Sequence, residues 1–462
     1  MSSISYDSAL QNSLSGKSKS FIKRYSIASI LRKSGAFKLQ GFSSILCFFV
    51  LFQSVFFQTS LFQQYKNHKR SFPCSVDTLY RFLNSTSVNW WRFTTLLSLS
   101  IIKKSILHLT EPDRRKVLIV DDSLFSRAHS SKVELLSSVY DHAAHGKASR
   151  YVRGFRMLTL GWSDGNTFLP ISHCLLSGAT KKTRIQGLLK PVDWRTNSAR
   201  QRRLSMCKAT DVMLKLLRDA KVSGIPATHV LFDTWFCFPS SLIQVKKLGY
   251  DVVAMVKKAK NFKYLYQGES RTAMQIFHLL KKRPGRSKYL LSVDTTIQKG
   301  EETLPVRLVF VRKKGSKKDY LVLISTDMNL TPEEIIQTYG KRWSIEVFFK
   351  VCKTYLRLSK EFRSLSYDAM TAHVSIVFAR YMMLAIDQRE RTDERSLGDL
   401  FYLTIEELSD ITYAEALQLL LKHLEQLLIK EVGVSEEEID RLMDLFMKTL
   451  PAIWREIRQN CA

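Results

Sequence analysis

Three places in the 462-residue chain put a carboxylate where chemistry, rather than solvation, would place it. Asp121 and Asp122 follow the apolar run VLIV, Asp233 follows HVLF, and Glu346 lies in a stripe with Arg342, Lys350 and Lys353. The stripe advances by steps of four, four and three, which keeps side chains on one helical face. Acids at the ends of adjacent strands, with a third from a packing helix, can converge at the rim of a helix-flanked sheet. Three converging carboxylates repel unless a cation joins them, and oxygen-only ligands suit Mg²⁺ or Mn²⁺ rather than zinc. Two such ions about 4 Å apart serve in-line phosphodiester chemistry. One activates the attacking water or hydroxyl, and the other stabilises the leaving oxygen.

Each acid also has an ordinary reading. An Asp after an apolar strand commonly caps a loop or helix. Glu346 can pair with Arg342 or Lys350 at i,i±4. The overall charge favours the functional reading. Lys and Arg number 71 against 42 Asp and Glu, a formal net charge of +29. Such an excess costs stability through self-repulsion, and its usual compensating partner is a polyanion. Nucleic acid comes ahead of an anionic membrane surface. The 45% hydrophobic and 24% charged composition fits a folded chain, and the length predicts two to four domains. The seven cysteines are scattered without a CxxC, which predicts a reducing cytoplasm and no structural zinc. His142 and His145 in DHAAH lack an evident third ligand. Nothing resembles a P-loop, so no ATP-driven step is expected.

The elements that must position these acids follow from periodicity. Residues 1–110 read as a helical N-terminal DNA-binding region. Within it, 41–64 is uncharged, but Gln53, Gln58 and Gln63 interrupt it and no second such segment follows. A buried helix is expected there, and no membrane span. Residues 71–98 read either as a helix-turn-helix-like module, with Arg81, Lys103 and Lys104 facing phosphates, or as a plain helical bundle. Residues 111–257 and 327–380 alternate strands and helices, with SDGN joining two strands. Thr210 or Asp211 is the expected cap of the following helix. Residues 258–326 break the alternation as a β-rich insertion, and 381–462 is helical. The stretch 338–356 reads as one helix, packed all round except along its charged stripe. Between Lys147 and Arg203 the bases, Arg156, Arg195 and Arg202 among them, face only Asp164 and Asp193, so this tract is expected to follow DNA backbone.

The residues also carry a resemblance. YGKRWSIEVFFKVCK matches Y-(2)-R-(3)-E-(6)-K at Tyr339, Arg342, Glu346 and Lys353. That signature is similar to the one in bacterial insertion-sequence DDE transposases of the Tn-five-like and "IS four" group. VLIVDDSLFSR resembles their first-Asp motif and VLFDTWF their second; the likeness spans about residues 115–380. It implies a ribonuclease-H-like α/β core, a mixed sheet flanked by helices, interrupted by the insertion. It implies cut-and-paste transposition: a homodimer binds terminal inverted repeats of double-stranded DNA, cleaves with Mg²⁺ or Mn²⁺ as two ions, and joins the 3′-hydroxyls to target DNA. Asp121, Asp233 and Glu346 would hold the metals, and Tyr339, Arg342 and Lys353 would hold DNA phosphates, with Lys350 a further contact. Trp235 reads either as a base-stacking aromatic or as a core residue. A regular strand points Asp121 and Asp122 in opposite directions, and the family spacing to Ser123 favours Asp121. The implied location is a bacterial cytoplasm, on the nucleoid. The rivals are a nuclease on the same core without strand transfer, and an inactive, domesticated DNA-binding copy.

Overall fold

Strand β1 (Val117–Ser126) runs through both acids of the doublet instead of stopping before them. The strand was expected to end at Asp121; Leu124 and Phe125 beyond the acids sustain it by continuing the antiparallel pairing with β3 (Tyr151–Ser163). In the computed structural model the described residues are 16–390, except 39, 58–60, 68–72, 142–150, 179, 181–182, 260–261, 285–286, 314–318 and 361–363, together with 435, 438, 439, 441 and 442. His142, His145 and most of 381–462 lie outside them.

The other edge of β3 carries β2 (Ser137–Tyr140) near its start and β4 (Phe168–Leu176) along the rest. The SDGN turn joins β3 to β4. Gly165 takes φ +102°, where a side chain would strain, and Asp164 Oδ1 accepts from the backbone N–H groups of Asn166 (2.9 Å) and Thr167 (2.7 Å). On its other side β1 pairs in parallel with β5 (His229–Phe232), and β5 in parallel with β6 (Asp251–Met255). The order β4-β3-β1-β5-β6 makes a mixed sheet, antiparallel on one side and parallel on the other. Helix α8 (Ala209–Val222) leads into β5, and α9 (Pro239–Lys247) connects β5 to β6. Lys208, not Thr210 or Asp211, takes the N-cap position of α8, and Asp211 instead places its charge in the first turn.

Residues 258–326 extend this sheet instead of forming another one. β7 (Lys263–Tyr266), β8 (Glu269–Thr272), β9 (Leu291–Lys299), β10 (Glu302–Arg312) and β11 (Tyr320–Ser325) join through β11, which lies antiparallel to β6. The result is one 11-stranded sheet. Helix α10 (Ala273–Leu279) follows β8 and starts in a capping box of Thr272 and Gln275.

Among the described residues six α-helices precede the sheet: α1 (Gly16–Arg24), α2 (Ile27–Lys33), α3 (Ser44–Gln53), α4 (Leu61–Asn67), α5 (Val76–Leu83) and α6 (Trp90–Ile101). α6 is a layer of the core. Trp90, Phe93, Leu97 and Ile101 are buried, and Thr95 and Ser98 donate to the carbonyls of Ile171 (3.1 Å) and Pro170 (2.7 Å) on β4. The rest of its surface, with Arg92 exposed, and the exposed Arg81, Lys103 and Lys104 nearby leave both the helix-turn-helix and the bundle readings open. α13 (Tyr367–Glu390) buries every residue from Tyr367 to Ile386 against this layer. By length and composition α13 could cross a membrane, which corrects the expectation that no second apolar segment follows 41–64; its apolar window is wholly buried inside the protein. All nine residues of β4 are buried, so both faces of the sheet are covered there.

Two buried arginines tie the helices to the sheet. Arg380 of α13 donates to the carbonyl of Phe52 (2.8 Å) and to Ser54 Oγ (3.2 Å), placing a cation at the C-terminus of α3. Arg202 of α7 (Asn197–Ser205) forks onto Glu134 (2.9 and 2.8 Å) and Asp368 (2.7 and 2.9 Å), and Glu134 also accepts from the Tyr367 N–H (3.0 Å). Arg202 was expected among the bases that follow DNA; it is instead buried and fully paired. Its replacement by Met strands two buried carboxylates, and urea unfolding is expected to register a loss of about 3–5 kcal/mol. Arg200→Met, on the exposed face of the same helix, is expected to change stability by no more than about 0.5 kcal/mol.

Candidate active site

The parallel register of β1 and β5 sets the site. Its last pair is Ile119 with Leu231, and two residues further on Asp121 comes level with Asp233. The third acid arrives from the stretch 338–356, which is two helices and not the single one expected. α11 (Pro332–Gly340) ends before Lys341, and α12 (Trp343–Thr354) starts after Arg342. At the junction the bonds tighten from i→i−4 to i→i−3: Lys341 N–H to Thr338 (3.2 Å), Arg342 N–H to Tyr339 (3.0 Å) and Ile345 N–H to Arg342 (3.2 Å). The Lys341 ammonium holds the junction to the sheet through the carbonyl of Arg115 (2.6 Å).

Arg342 therefore enters the site at the head of α12. Its Nη1 donates to Asp121 Oδ2 at 2.9 Å and its Nη2 donates to Glu346 Oε1. Asp121 Oδ1 accepts from the N–H of Asp122 at 2.8 Å. Asp122 points the other way, as a regular strand requires, and pairs with Arg156 (Nε 3.1 Å, Nη2 2.7 Å). Asp233 closes a turn by accepting from the Trp235 N–H at 2.9 Å. The ring centre of Tyr339, in the last turn of α11, lies 5.9 Å from the Arg342 guanidinium, which also acts on its buried hydroxyl.

Burial pushes the Asp121 carboxyl up to about 7; Arg342 opposes the rise, and the nearby Asp233 charge adds to it. Burial raises Asp233 as well, against the Trp235 N–H and Arg342. The Tyr339 hydroxyl is raised to about 12 by burial, and it too senses Arg342, Asp233 and Asp121. The donor set is thus oxygen-only, and burial raises the proton affinity of its two aspartates. That chemistry fits a hard divalent cation held by Asp121, Asp233 and Glu346.

Other expected residues sit around this centre. Lys350 and Lys353 lie further along α12; Lys350 is exposed, and burial around the Lys353 ammonium lowers its pKa against the pull of Asp141. Trp235 is not a core residue: it is 52% exposed, with the Arg156 guanidinium 5.4 Å and the Lys257 ammonium 5.8 Å from its ring centre. α12 buries Ile345, Phe348, Phe349, Val351 and Cys352 as expected, but Trp343 and Val347 are exposed. They fall on the side of the helix turned away from α13 and the sheet.

Sequence reasoning placed Arg156 in a DNA-tracking tract and missed its pairing. The register supplies the signal: Asp122 faces Leu158, and Arg156 lies two residues along on the same side. Also missed was a trio at the opposite end of the parallel strands. His229, Asp251 and Asp327 bring one donor atom each within 4.8 Å of one another. His229 Nε2 lies 3.1 Å from Asp327 Oδ2, and Asp251 receives Lys246 and Thr326 Oγ1 (2.9 Å). Here a lysine already supplies the positive charge. His229 begins the strand that Asp233 follows, so the two acid groups are at opposite sheet edges.

Comparison with known proteins bears on this arrangement. A family model described as "DDE superfamily endonuclease" matches residues 62–268, and one described as "Transposase DDE domain" matches 205–383. No curated protein matches the chain. Among solved structures the chain is similar to the Drosophila P element transposase strand transfer complex, at 13% identity and a TM-score of 0.22. The likeness covers 52% of this chain and 50% of that one, so the chain spans about half the length of the protein it matches.

The raised Asp121 carboxyl gives a pH signature. Its folded value of about 7 lies above an unfolded value of about 3.9, so between the two the native chain holds the extra proton and stability falls as pH rises. Asp121→Asn is expected to be more stable than wild type at pH 8, by on the order of 2 kcal/mol, and equal to it at pH 4. Urea titrations at the two pH values check this. Added Mg²⁺ is expected to narrow the pH 8 gap by stabilising the wild type.

Proposed function

We propose that the chain is a DDE superfamily transposase that cuts DNA at Asp121, Asp233 and Glu346 and joins the cut ends to target DNA, a reading supported by the family models matching 62–268 and 205–383. The observation that supports this reading is the meeting of Asp121 and Glu346 on the Arg342 guanidinium, with Asp233 level beside Asp121. These residues come from β1, the end of β5 and the head of α12, separated by over 100 residues at each step. Local salt-bridge chemistry would not need that convergence.

Asp121, Asp233 and Glu346 would hold Mg²⁺ or Mn²⁺, as two ions, which supply Lewis-acid activation of a water and stabilise the departing 3′-oxygen. The chain's own groups prepare the substrate. Arg342 is paired with Asp121 and Glu346, and its fork would hold a phosphate oxygen where those acids held metal. The Tyr339 hydroxyl, beside Arg342, would donate to the same phosphate. Lys350 and Lys353 would hold the strand further along α12. In the first step water adds to phosphorus and the P–O3′ bond breaks, leaving a 3′-hydroxyl and a 5′-phosphate. In the second, that 3′-hydroxyl attacks a target phosphodiester, and the target's own 3′-oxygen leaves. The DNA partners would be the terminal inverted repeats and the target duplex, with two copies of the chain pairing the ends.

Purified protein with Mg²⁺ and a supercoiled plasmid carrying the element's own ends tests this. Wild type is expected to release the ends and insert them into a second plasmid. Asp121→Asn, Asp233→Asn and Glu346→Gln are each expected to lose more than the about 100-fold that an outer-sphere partner accounts for. Cutting without insertion would mark a nuclease, and equal cutting by wild type and Glu346→Gln would move the site elsewhere.

A further inference from the structure

We infer that Lys341 is a positioning residue: it fixes where along β1 the head of α12 rests, and so whether Glu346 reaches the metal that Asp121 and Asp233 would hold. Lys341 and Arg342 are consecutive, yet their side chains reach opposite ends of the same stretch of chain. The Lys341 ammonium donates to the carbonyl of Arg115, two residues before β1 starts (2.6 Å), and Arg342 Nη1 donates to Asp121 Oδ2 within it (2.9 Å). Extended backbone at about 3.3 Å per residue puts roughly 20 Å between Arg115 and Asp121. The two side chains together span the buried first half of β1. α12 therefore cannot slip toward either end of the strand without losing one of the two contacts.

The ammonium is built into its place. It donates to a second carbonyl, that of Asp164 (3.3 Å), in the turn between β3 and β4. Asp164 is fully buried and accepts from Thr110 Oγ1 (2.7 Å) and Arg389 Nη2 (3.3 Å), so this anchor is independent of α11 and α12. Gly165 leaves room for the lysine stem: a Cβ there would lie 3.2 Å from Lys341 Cε. Both ends of α11 share one further anchor. Arg115 pairs through its guanidinium with Glu334 in the first turn, and through its carbonyl with Lys341 just past the last. The head of α12 closes the arrangement, since Ser344 Oγ donates to the Lys341 carbonyl (2.8 Å). Carbonyls orient an ammonium but neutralise no charge, and burial lowers the Lys341 pKa. A lysine kept for DNA phosphate would hold its charge in water, as Lys350 does. Lys341 acts through Arg342 and Glu346, and this inference rests on the reading that Asp121, Asp233 and Glu346 act on DNA.

The test measures Mg²⁺-dependent cutting by the full chain at saturating DNA carrying the element's ends, and affinity for the same DNA in EDTA. Lys341→Met is expected to cut about 10- to 100-fold more slowly and to need about tenfold more Mg²⁺ for half-maximal rate, with DNA affinity within about twofold of wild type. Lys341→Arg, which keeps donors of similar reach, is expected to recover most of the rate and the wild-type Mg²⁺ requirement. Gly165→Ala crowds the lysine stem, and is expected to slow cutting in the wild-type background but to add little to Lys341→Met. Cutting by Lys341→Met at the wild-type rate would overturn the inference. So would a loss of DNA affinity as large as the loss of rate, which marks a phosphate contact, or a lower rate at an unchanged Mg²⁺ requirement, which marks a loss of folded protein alone. If Lys341→Met does not fold, Gly165→Ala decides by the same readings. Asp121→Asn separates the two levels. If that variant is inert while Lys341→Met cuts as wild type, only the positioning role fails. If Asp121→Asn still cuts, the active-site reading fails and this inference falls with it.

Discussion

Carboxylates buried side by side demand a positive charge, and the arrangement of this chain follows from that demand. Asp121 on β1 and Asp233 just past the end of the adjacent parallel strand β5 feel each other's charge, and burial raises the proton affinity of both. In so poorly solvated a place their repulsion is far stronger than in water. Arg342 answers it by joining Asp121 to Glu346. The break between α11 and α12 makes this possible. It sets Arg342 at the start of a new helix and leaves Glu346 in the first turn, where the helix dipole favours an acid.

The same means recurs inside the protein. Arg202 joins a loop to the start of α13, and Arg380 closes the end of α3. Arg156 neutralises Asp122, which keeps the second acid of the doublet apart from Arg342. The large basic excess is therefore not one uniform surface for DNA. Part of it is internal and holds helical layers to the sheet. The exposed remainder includes Lys350 of α12 and Lys257 beside Trp235.

Much of this was legible in the residues. The apolar runs before Asp121 and Asp233 marked adjacent strands, SDGN marked a hairpin, and the spacing from Arg342 to Glu346 put both on one face. What could not be read is where tertiary contacts override local pattern. Pairing with β3 carries β1 through two charged residues that look like a stop. The pairing of β11 with β6 merges a segment that reads as separate into one sheet, because strand order is a long-range property. Composition could not separate Trp343 from Phe348, since a helix's apolar residues reveal their neighbours only once the helix is docked. The same holds for α6, whose length suits either reading bases or packing on β4.

The register of β1 against β5 also says where the chain can vary in length. Asp121 and Asp233 are brought near each other because β1 and β5 keep step. The roughly hundred residues from the end of β1 to the start of β5 could gain or lose turns and loops without disturbing that step. A single residue added or lost between Val117 and Asp121, or between His229 and Asp233, would turn one acid to the opposite face of the sheet. Diversification by insertion and deletion is therefore open to the hairpin, the crossover and the sheet extension. It is closed to about ten positions in two strands.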